Sequence, residues 1–570
     1  PSAQETAAEI SKGLGLNLNS FIYAKESDSD EYTLYETIKG KENREWVDSD
    51  KIPDTLKNAV VAIEDERFYK HHGVDWVRTI GAVKGWLLGG TQYGGSTITQ
   101  QLIKNITADN DYSVKRKVNE IFRAFALEKE IDDKDRILVM YLNTIYLGYN
   151  SYGVQTAAMQ YFDKDVSQLD LAESAVLAGL TNNPSIYDVY NHPEKVKERQ
   201  ETILAQMLDQ KMISQEEYEA AVAEELNYRP YEEYQQEIKS TYSYFTDEVI
   251  KDVINDLMTE KGYSRLVAEN MVYSGGLNIY ATIDTKVQNA LDEVWANADN
   301  FPNTEKYGEI PQSAMVITDK QGNIVGIAGG RGEKTASLTL NRATDTTRQP
   351  GSTFKIVSTY APALNEKGMT LATTFEDEPY EYPDGSPVNN ATRSYNGTTT
   401  IRTAIQNSIN VVAVKCLEKV TPDLGLKYLD NFGFTTLAHG TEADTDANGN
   451  VWSDAGLATA LGGITRGVTN IELCASYASI ANGGNYIKPI YYTKILDHNG
   501  NVLIENTSVE RSVIKESTAY LLTSAMEDVV KQGTGTACQL DNMAVAGKTG
   551  TTEDYNDLWF VGYTPYYTCA

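Results

Sequence analysis

Ser352 and Lys355 stand three residues apart in Pro350-Gly351-Ser352-Thr353-Phe354-Lys355, ahead of the apolar, helix-compatible run IVSTYAPAL. That order places Ser352 near a helix N-terminus with Lys355 one turn later on the same face. A serine hydroxyl is a poor nucleophile until a base takes its proton, and a partly desolvated, neutral lysine can do so. The spacing by itself is weak, since Ser512-Val513-Ile514-Lys515 repeats it. Two further elements follow in order. Ser408-Ile409-Asn410, 56 residues after Ser352 and ahead of the apolar VVAV, offers a proton-relay hydroxyl and an amide for substrate. Ser394-Tyr395-Asn396 competes with it, but its Asn-Gly context reads as a turn. Lys548-Thr549-Gly550-Thr551 follows MAVAG and reads as a strand whose glycine allows close backbone approach, with lysine and threonine groups to hold a carboxylate. The ordered trio SxxK, SxN, KTG points to serine acyl transfer.

A second group lies near the N-terminus. AIEDERFYKHHG (62–73) sets Glu64 beside Asp65, ahead of Phe68, His71 and Gly73. Adjacent carboxylates on a helix are ordinarily a solvated face. GGSTITQQLIKN (94–105) then carries Ser96, Gln100, Gln101, Lys104 and Asn105 from a glycine-rich turn into a helix start. In SVKRKVNEIFRAF (113–125), Val114, Val118, Ile121, Phe122 and Phe125 share one helical face, and Arg116, Lys117, Glu120 and Arg123 cluster opposite. That cluster reads either as an exposed face laced with salt bridges or as a basic site for a diphosphate beside a carboxylate. WVRTIGAVKGWLLGG (76–90), with Trp76, Val77, Ile80, Val83, Trp86, Leu87 and Leu88, reads either as helical core or as a membrane-dipping surface.

These groups need scaffolds of different kinds. With 570 residues, three to four domains are the prior. Residues 1–50 are polar and read as an arm or short hairpin; 51–212 show helical periodicity; 213–309 form a connecting subdomain; and 310–570 form an α/β domain. Asp319-Lys320-Gln321-Gly322-Asn323 reads as the turn joining that domain's first two strands. Hydrophobic residues at 41% exclude general disorder. The net charge of −30 (50 Lys+Arg, 80 Asp+Glu) argues against nucleic-acid binding over the whole surface. Any anionic substrate must therefore rest on a local basic cluster. Cys416, Cys474, Cys538 and Cys569 show neither CxxC nor paired His spacing and read as free thiols. No run of about 18 apolar residues is present, and Pro1 is not a natural start, so an N-terminal anchor is expected to have been removed.

RQPGSTFK (348–355), QNSINVVAV (406–414), ALGGITRGVTNIELCASYASIANGG (460–484), GTGTA (533–537) and GKTGTTEDYNDLWFVGYTP (547–565) resemble the penicillin-binding transpeptidase domain. The N-terminal strings, with DKDRILVMYLNTIYLGYNSYGVQTAAMQYF (133–162) and RQETILAQM (199–207), resemble the peptidoglycan glycosyltransferase domain, whose fold is mainly helical and lysozyme-like. Nearly the whole chain thus resembles a class A penicillin-binding protein.

The resemblance implies that Ser352 attacks the penultimate D-Ala carbonyl of a stem peptide, with Lys355 as base and Ser408 as relay. Asn410, Lys548, Thr549, Gly550 and Thr551 would contact substrate, and the N–H groups of Ser352 and Thr551 would form the oxyanion hole. It also implies Glu64 as the base on the acceptor sugar, with inversion at the donor carbon. Asp65, Ser96, Gln100 and Asn105 would bind substrate, while Glu120, Arg116, Lys117 and Lys104 hold the lipid diphosphate with a divalent cation (Mg or Mn) as the expected cofactor near Glu120. No cofactor is expected for transpeptidation. Implied partners are lipid II, the growing glycan strand, stem peptides, β-lactams, a membrane and cell-wall synthesis machinery, at the extracytoplasmic face of a bacterial membrane, with no nucleic acid.

The sequence departs from the pattern twice. Val139 stands where the ILExYLN motif has Glu, and the chain stops at Ala570, just after a strand beginning near Trp559, where related domains continue with a further strand and a closing helix. Three rivals remain. A serine β-lactamase or carboxypeptidase would share the trio without needing residues 53–210. A non-catalytic scaffold or β-lactam sensor would be expected to lose Glu64, Lys355 or Lys548, all of which are present. A transpeptidase with a decayed glycosyltransferase has Val139 as its only support.

Overall fold

The computed structural model describes residues 4, 7, 18–26, 28–38, 46–79, 95–107, 114–149, 151–237, 241–302, 308, 310–552 and 555–570. Its N-terminal part packs the helices Asp54–Glu64, Ile98–Thr107, Val114–Ile131, Lys134–Thr144, Val154–Phe162, Leu171–Leu180 and Pro193–Asp209 around one apolar core. Local chemistry starts several of them. Asp133 accepts the Arg136 N–H at 3.1 Å, Asp170 and Glu173 form a reciprocal capping box, and Pro193 occupies a first turn where its missing N–H costs nothing. Val139 is buried in this core, on a helix that is buried along its whole Ile137–Thr144 length.

The Val114–Ile131 helix corrects the sequence reading. Glu120, Ala124, Leu127, Glu128 and Ile131 form its buried face, whereas Val118 and Phe122 are 45% and 61% exposed. Of the apolar stripe read from the sequence, Val118 and Phe122 face outward and Ile121 and Phe125 are half-buried. The two inward carboxylates are tolerable because each has a lysine partner: Lys117 on Glu120, and Lys134 on Glu128 at 2.7 Å, with Thr99 Oγ1 donating to Glu128 at 2.6 Å.

The arm is not separate either. Ser20–Lys25 buries alternate residues and pairs antiparallel with Thr33–Ile38 and parallel with Asn278–Asp284, in register Phe21 to Asn278. Tyr492–Leu496 and Val502–Glu505 complete this five-stranded sheet from the C-terminal part. Ile22, Ala24 and Ile38 therefore share a core with Val249, Val253 and Leu257 of the Tyr244–Lys261 helix and with residues beyond 310. The connecting region divides between the two cores: Ala221, Leu266 and Val267 pack with the N-terminal helices, whereas the buried apolar residues of 245–257 and 277–283 join residues beyond 310, so packing continues across the expected boundary at 309. Gln288, on the Thr285–Ala296 helix, accepts the Ile327 N–H at 2.8 Å and donates to its carbonyl at 3.0 Å.

The second five-stranded sheet runs Ala546–Thr551, Leu558–Tyr563, Tyr567–Cys569, Met315–Asp319, Ile324–Ala328. The helices Asn470–Ala481 and Glu516–Gln532 pack on it. The turn at 319–323 forms as expected, with Asp319 Oδ1 accepting the Gln321 and Asn323 N–H groups at 2.9 Å. Tyr567–Cys569 lies between Leu558–Tyr563 and Met315–Asp319, so a further strand does follow the one near Trp559. All four cysteines are free, and no described helix is long and apolar enough to cross a membrane.

Candidate active sites

Ser352 lies on a 3-10 turn, Gly351–Thr353, that runs into a π-helical segment, Lys355–Tyr360, and then into Ala361–Asn365. The turn is sharp because Gly351 has φ +56°. A Cβ on Gly462, in the ALGGITRG string, would lie 2.5 Å from Gly351 N, and one on Gly351 would lie 3.0 Å from Thr551 O. Only glycines let these three segments meet. The contact brings Gly351, the residue before Ser352, against the backbone of Thr551. Tyr477 O–H donates to Thr353 O at 2.7 Å and anchors the turn from below.

Behind Ser352 two fully buried lysines converge on Ser408. Lys355 Nζ donates to Ser408 O at 2.7 Å and Asn410 Oδ1 at 2.6 Å, and lies 3.1 Å from Ser408 Oγ. Lys548 Nζ donates to the same Oγ at 2.8 Å and to Thr549 O at 2.9 Å. Burial first, and the charge of Lys548 second, hold Lys355 well below the ordinary ammonium range. Burial pushes Lys548 down to about 7. Ser408 itself sits at φ +55°, a strained conformation for a residue with a side chain.

The competing motif has a supporting place. Asn396 donates its backbone N–H (2.8 Å) and Nδ2 (3.0 Å) to Asp377, which also accepts from Asn390 Nδ2 at 2.7 Å. Asn390 Oδ1 in turn accepts the N–H groups of Asn410 and Val411, capping the helix that carries Asn410. Thr549 Oγ1 is 2.6 Å from Thr534 Oγ1 of the GTGTA string. The decoy at 512–515 is different: Ser512 ends an exposed strand, and Lys515 Nζ donates to Asn365 O at the surface.

The depressed Lys548 has a consequence for stability. In the unfolded chain this amine keeps its proton up to its ordinary 10.5, so between about 7 and 10.5 the unfolded state binds more protons and this group's contribution to stability rises with pH. Below about 7 the folded state carries the full desolvation penalty, a few kcal/mol at roughly 1.4 kcal/mol per unit. Lys548→Met is expected to raise the melting temperature by several degrees at pH 7, with the gain shrinking toward pH 10. Thermal unfolding of both proteins across that range checks this, and a pH-independent gain would contradict a depressed amine.

In the helical part, Glu64 ends the Asp54–Glu64 helix and is buried. Gln101 Nε2 donates to its Oε2 at 2.9 Å and Thr181 Oγ1 to its Oε1 at 2.8 Å, while Arg78 donates to its backbone carbonyl. Tyr141 O–H donates to Gln101 Oε1 at 3.1 Å and orients that amide. Burial, then the charge of Glu64, keeps Tyr141 protonated far above the ordinary phenol range.

Several assignments change or stay open here. Asp65 is fully buried, with His71 Nε2 at 3.0 Å and the Ile98 N–H donating to it at 3.0 Å, so it docks the next helix and has no surface for substrate. Gln100 is likewise buried and accepts the Thr97 N–H at 2.9 Å; the neighbouring Gln101 is the one that reaches the site. Lys117 joins Ser96 Oγ, at 2.8 Å, to Glu120; Lys104 is exposed and Asn105 half-buried on the Ile98–Thr107 helix. The side chains of Val114 and Arg116, and all of Ile80, Val83, Trp86, Leu87 and Leu88, lie outside the described residues. Trp76 and Val77 are exposed, so the start of that segment is not core. No three His, Cys, Asp or Glu side chains gather around Glu120 among the described residues, and an ammonium sits on its carboxylate. The described side chains make no all-protein cage for a divalent cation, and an ion at Glu120 would need the diphosphate's own oxygens as ligands.

A helical unit with a doubly held carboxylate, followed by a sheet domain with a serine before two buried lysines, defines a two-site chain. Residues 30–208 match the family described as Transglycosylase, and residues 312–568 match the Penicillin binding protein transpeptidase domain. The chain is 36% identical over 558 residues to Penicillin-binding protein 1A of Clostridium botulinum, covering 93% of this chain and 65% of that protein. It is 36% identical over 537 residues to Penicillin-binding protein 1F of Bacillus subtilis (93% and 70%) and 35% identical over 558 residues to Penicillin-binding protein 1A of Streptococcus oralis (93% and 83%). It spans just under two thirds of the length of the Clostridium botulinum relative. The chain belongs to the class A penicillin-binding proteins.

Proposed function

We propose that this chain polymerises lipid II into glycan strands and crosslinks their stem peptides. The observation that carries this reading is that one chain assembles two separate reactive groups: a buried carboxylate with a donor on each oxygen, and a serine turn backed by two lysines with depressed pKa.

In the first reaction Glu64 takes the proton of the acceptor sugar's 4-hydroxyl. The freed oxygen attacks the donor's anomeric carbon with inversion, and the bond to the lipid diphosphate breaks as charge builds on the leaving group. Lys117, paired with Glu120 and half-exposed, is the cation proposed to meet that charge. No step is routed through a metal.

In the second reaction a neutral Lys355 amine has two hydrogens, which go to Ser408 O and Asn410 Oδ1, and faces the Ser408 hydroxyl with its lone pair. Lys548 donates to that hydroxyl from the other side, so Ser408 bridges the two amines. Among the described residues Ser352 Oγ makes no hydrogen bond, a looseness common before substrate is bound. As Ser352 Oγ attacks the penultimate D-Ala carbonyl its O–H bond breaks and the Lys355 amine takes the proton; the amide C–N bond then breaks, and Ser408 relays that proton from Lys355 to the nitrogen of the departing D-Ala. An amine of a neighbouring stem peptide then displaces Ser352 from the acyl-enzyme.

The exposed Trp76, Val77, Val118 and Phe122 support placing the helical unit against the outer face of a bacterial membrane, as a lipid-linked substrate requires. β-lactams, stem peptides, the growing strand and cell-wall synthesis machinery are the proposed partners. Polymerisation of purified lipid II and acylation by labelled penicillin, measured on one sample, test the two halves separately; absence of either activity removes that half.

Lys117→Ala is expected to weaken binding of an anionic lipid diphosphate by about tenfold and to flatten its salt dependence, because the whole chain is −30 and only local charge attracts the ligand. Lys129→Ala, at an exposed position near the end of the same helix, serves as the control. Equal binding by both variants would mean that Lys117 serves only to neutralise Glu120.

A further inference from the structure

Thr181 lies 117 residues from Glu64 and follows the Leu171–Leu180 helix. Its Oγ1 is 2.8 Å from Glu64 Oε1 and 2.7 Å from the Ala178 carbonyl. A threonine hydroxyl has one hydrogen, so at any moment it donates to only one of these two acceptors. The other oxygen of Glu64 faces Gln101 Nε2, whose amide orientation is held by Tyr141. An amide N–H can only donate, so that contact suits only an unprotonated oxygen. The hydroxyl can reverse. With Glu64 ionised it donates to Oε1; with a proton on Oε1 it accepts that proton's hydrogen bond and turns its own hydrogen to Ala178 O.

We propose that Thr181 is the positioning residue of Glu64, a hydroxyl rotor that keeps the carboxyl group in one place before and after it takes the acceptor's proton. This rests on the reading of Glu64 as the base. No atom is gained or lost by Thr181: the O–H bond of the acceptor breaks, a new one forms on Glu64 Oε1, and the hydroxyl exchanges one acceptor for another. The groups that also face Glu64 are Asp65, next in the chain, Arg78 on its backbone carbonyl, and Tyr141, whose hydroxyl donates to Gln101 and also lies within hydrogen-bonding reach of Thr181, so that its oxygen is a further acceptor beside the rotor.

The test uses the whole chain with lipid II in detergent micelles. Thr181→Val keeps the shape and removes the hydroxyl; Thr181→Ser keeps the hydroxyl. Thr181→Val is expected to lower kcat about tenfold or more, as for loss of a hydrogen bond to a charged group, with KM within about twofold. It is also expected to move the acidic limb of the kcat profile to higher pH, because the ionised form loses a donor. Thr181→Ser should restore both. Penicillin acylation and melting temperature report folding in the same samples. An unshifted limb with near-parental kcat in Thr181→Val, or a Thr181→Ser protein as impaired as Thr181→Val, overturns the rotor. Glu64→Gln separates the two ideas. If it is inactive while Thr181→Val behaves as the parent, the rotor alone fails; if Glu64→Gln polymerises normally, the reading of Glu64 as base fails and takes the rotor with it.

Discussion

Ser352→Ala is expected to abolish covalent labelling by penicillin, while Ser512→Ala labels at the parental rate. The strained β-lactam carbonyl takes the place of the D-Ala-D-Ala amide and needs an oxygen nucleophile at the mouth of the turn. Without it no acyl-enzyme can form, a loss on the order of a millionfold for serine enzymes deprived of their nucleophile. The fold should be indifferent, because Ser352 Oγ makes no hydrogen bond among the described residues and surface-accessible substitutions of this kind usually stay within about 0.5 kcal/mol. Ser512 has the same spacing to a lysine but none of the environment. It ends an exposed strand, and its lysine is at the surface, donating to Asn365 O rather than lying buried beside a second lysine. Mass spectrometry of the labelled peptide decides between them, and label on Ser512 would overturn the site.

Glu64→Gln should lower glycan polymerisation by roughly 10²–10⁴-fold, the range for losing a general base. The substitution is well suited to the surroundings. The new amide can turn its oxygen to Gln101 Nε2 and its NH₂ to Thr181 Oγ1, whose hydrogen then goes to Ala178 O, so every buried group keeps a partner. Penicillin acylation should stay near parental, because Ser352, Lys355, Ser408 and Lys548 belong to a different core and share no residue with this site. Near-normal synthesis from lipid II would reject Glu64 as the base, and loss of both activities together would indicate misfolding.

Much of the acyl-transfer site was legible because its chemistry is written in short strings. Ser352 to Lys355 is one helical turn, and Lys548 to Thr551 is one strand, so each motif carries its own geometry. The turn at Asp319–Asn323 and the caps at Asp133 and Asp170 were decided in the same way, by side chains reaching backbone groups two to four residues off. The rejected Ser394-Tyr395-Asn396 reads as a turn, but it is an irregular stretch just after the turn closed by Arg393 N–H and Asn390 O, and nothing local revealed that it steadies Asn410 through Asp377 and Asn390.

The helical site was legible only in part. Gln100 and Gln101 are equivalent by composition, and the packing of their helix onto Asp65 and Gly73 chose the second to meet Glu64. Val139 reads as a missing carboxylate, yet it fills a buried stretch of helix without leaving a charge to neutralise.

By itself the sequence determined which residues share a helical turn or a strand face, and therefore the two chemistries and the order of their motifs, because those relations depend on neighbours a few positions apart. Only the tertiary structure decided which face is covered. Periodicity separated Val118 and Phe122 from Glu120 but could not show that the carboxylate face turns inward, since burying it is tolerable only with Lys117 against it and Lys134 and Thr99 against Glu128. Nor could it bring Thr181 to Glu64 or lay the strand at Ser20–Lys25 against Asn278–Asp284, because contacts across 117 and some 250 residues are selected by the closing of a whole core and leave no periodic signal in the chain.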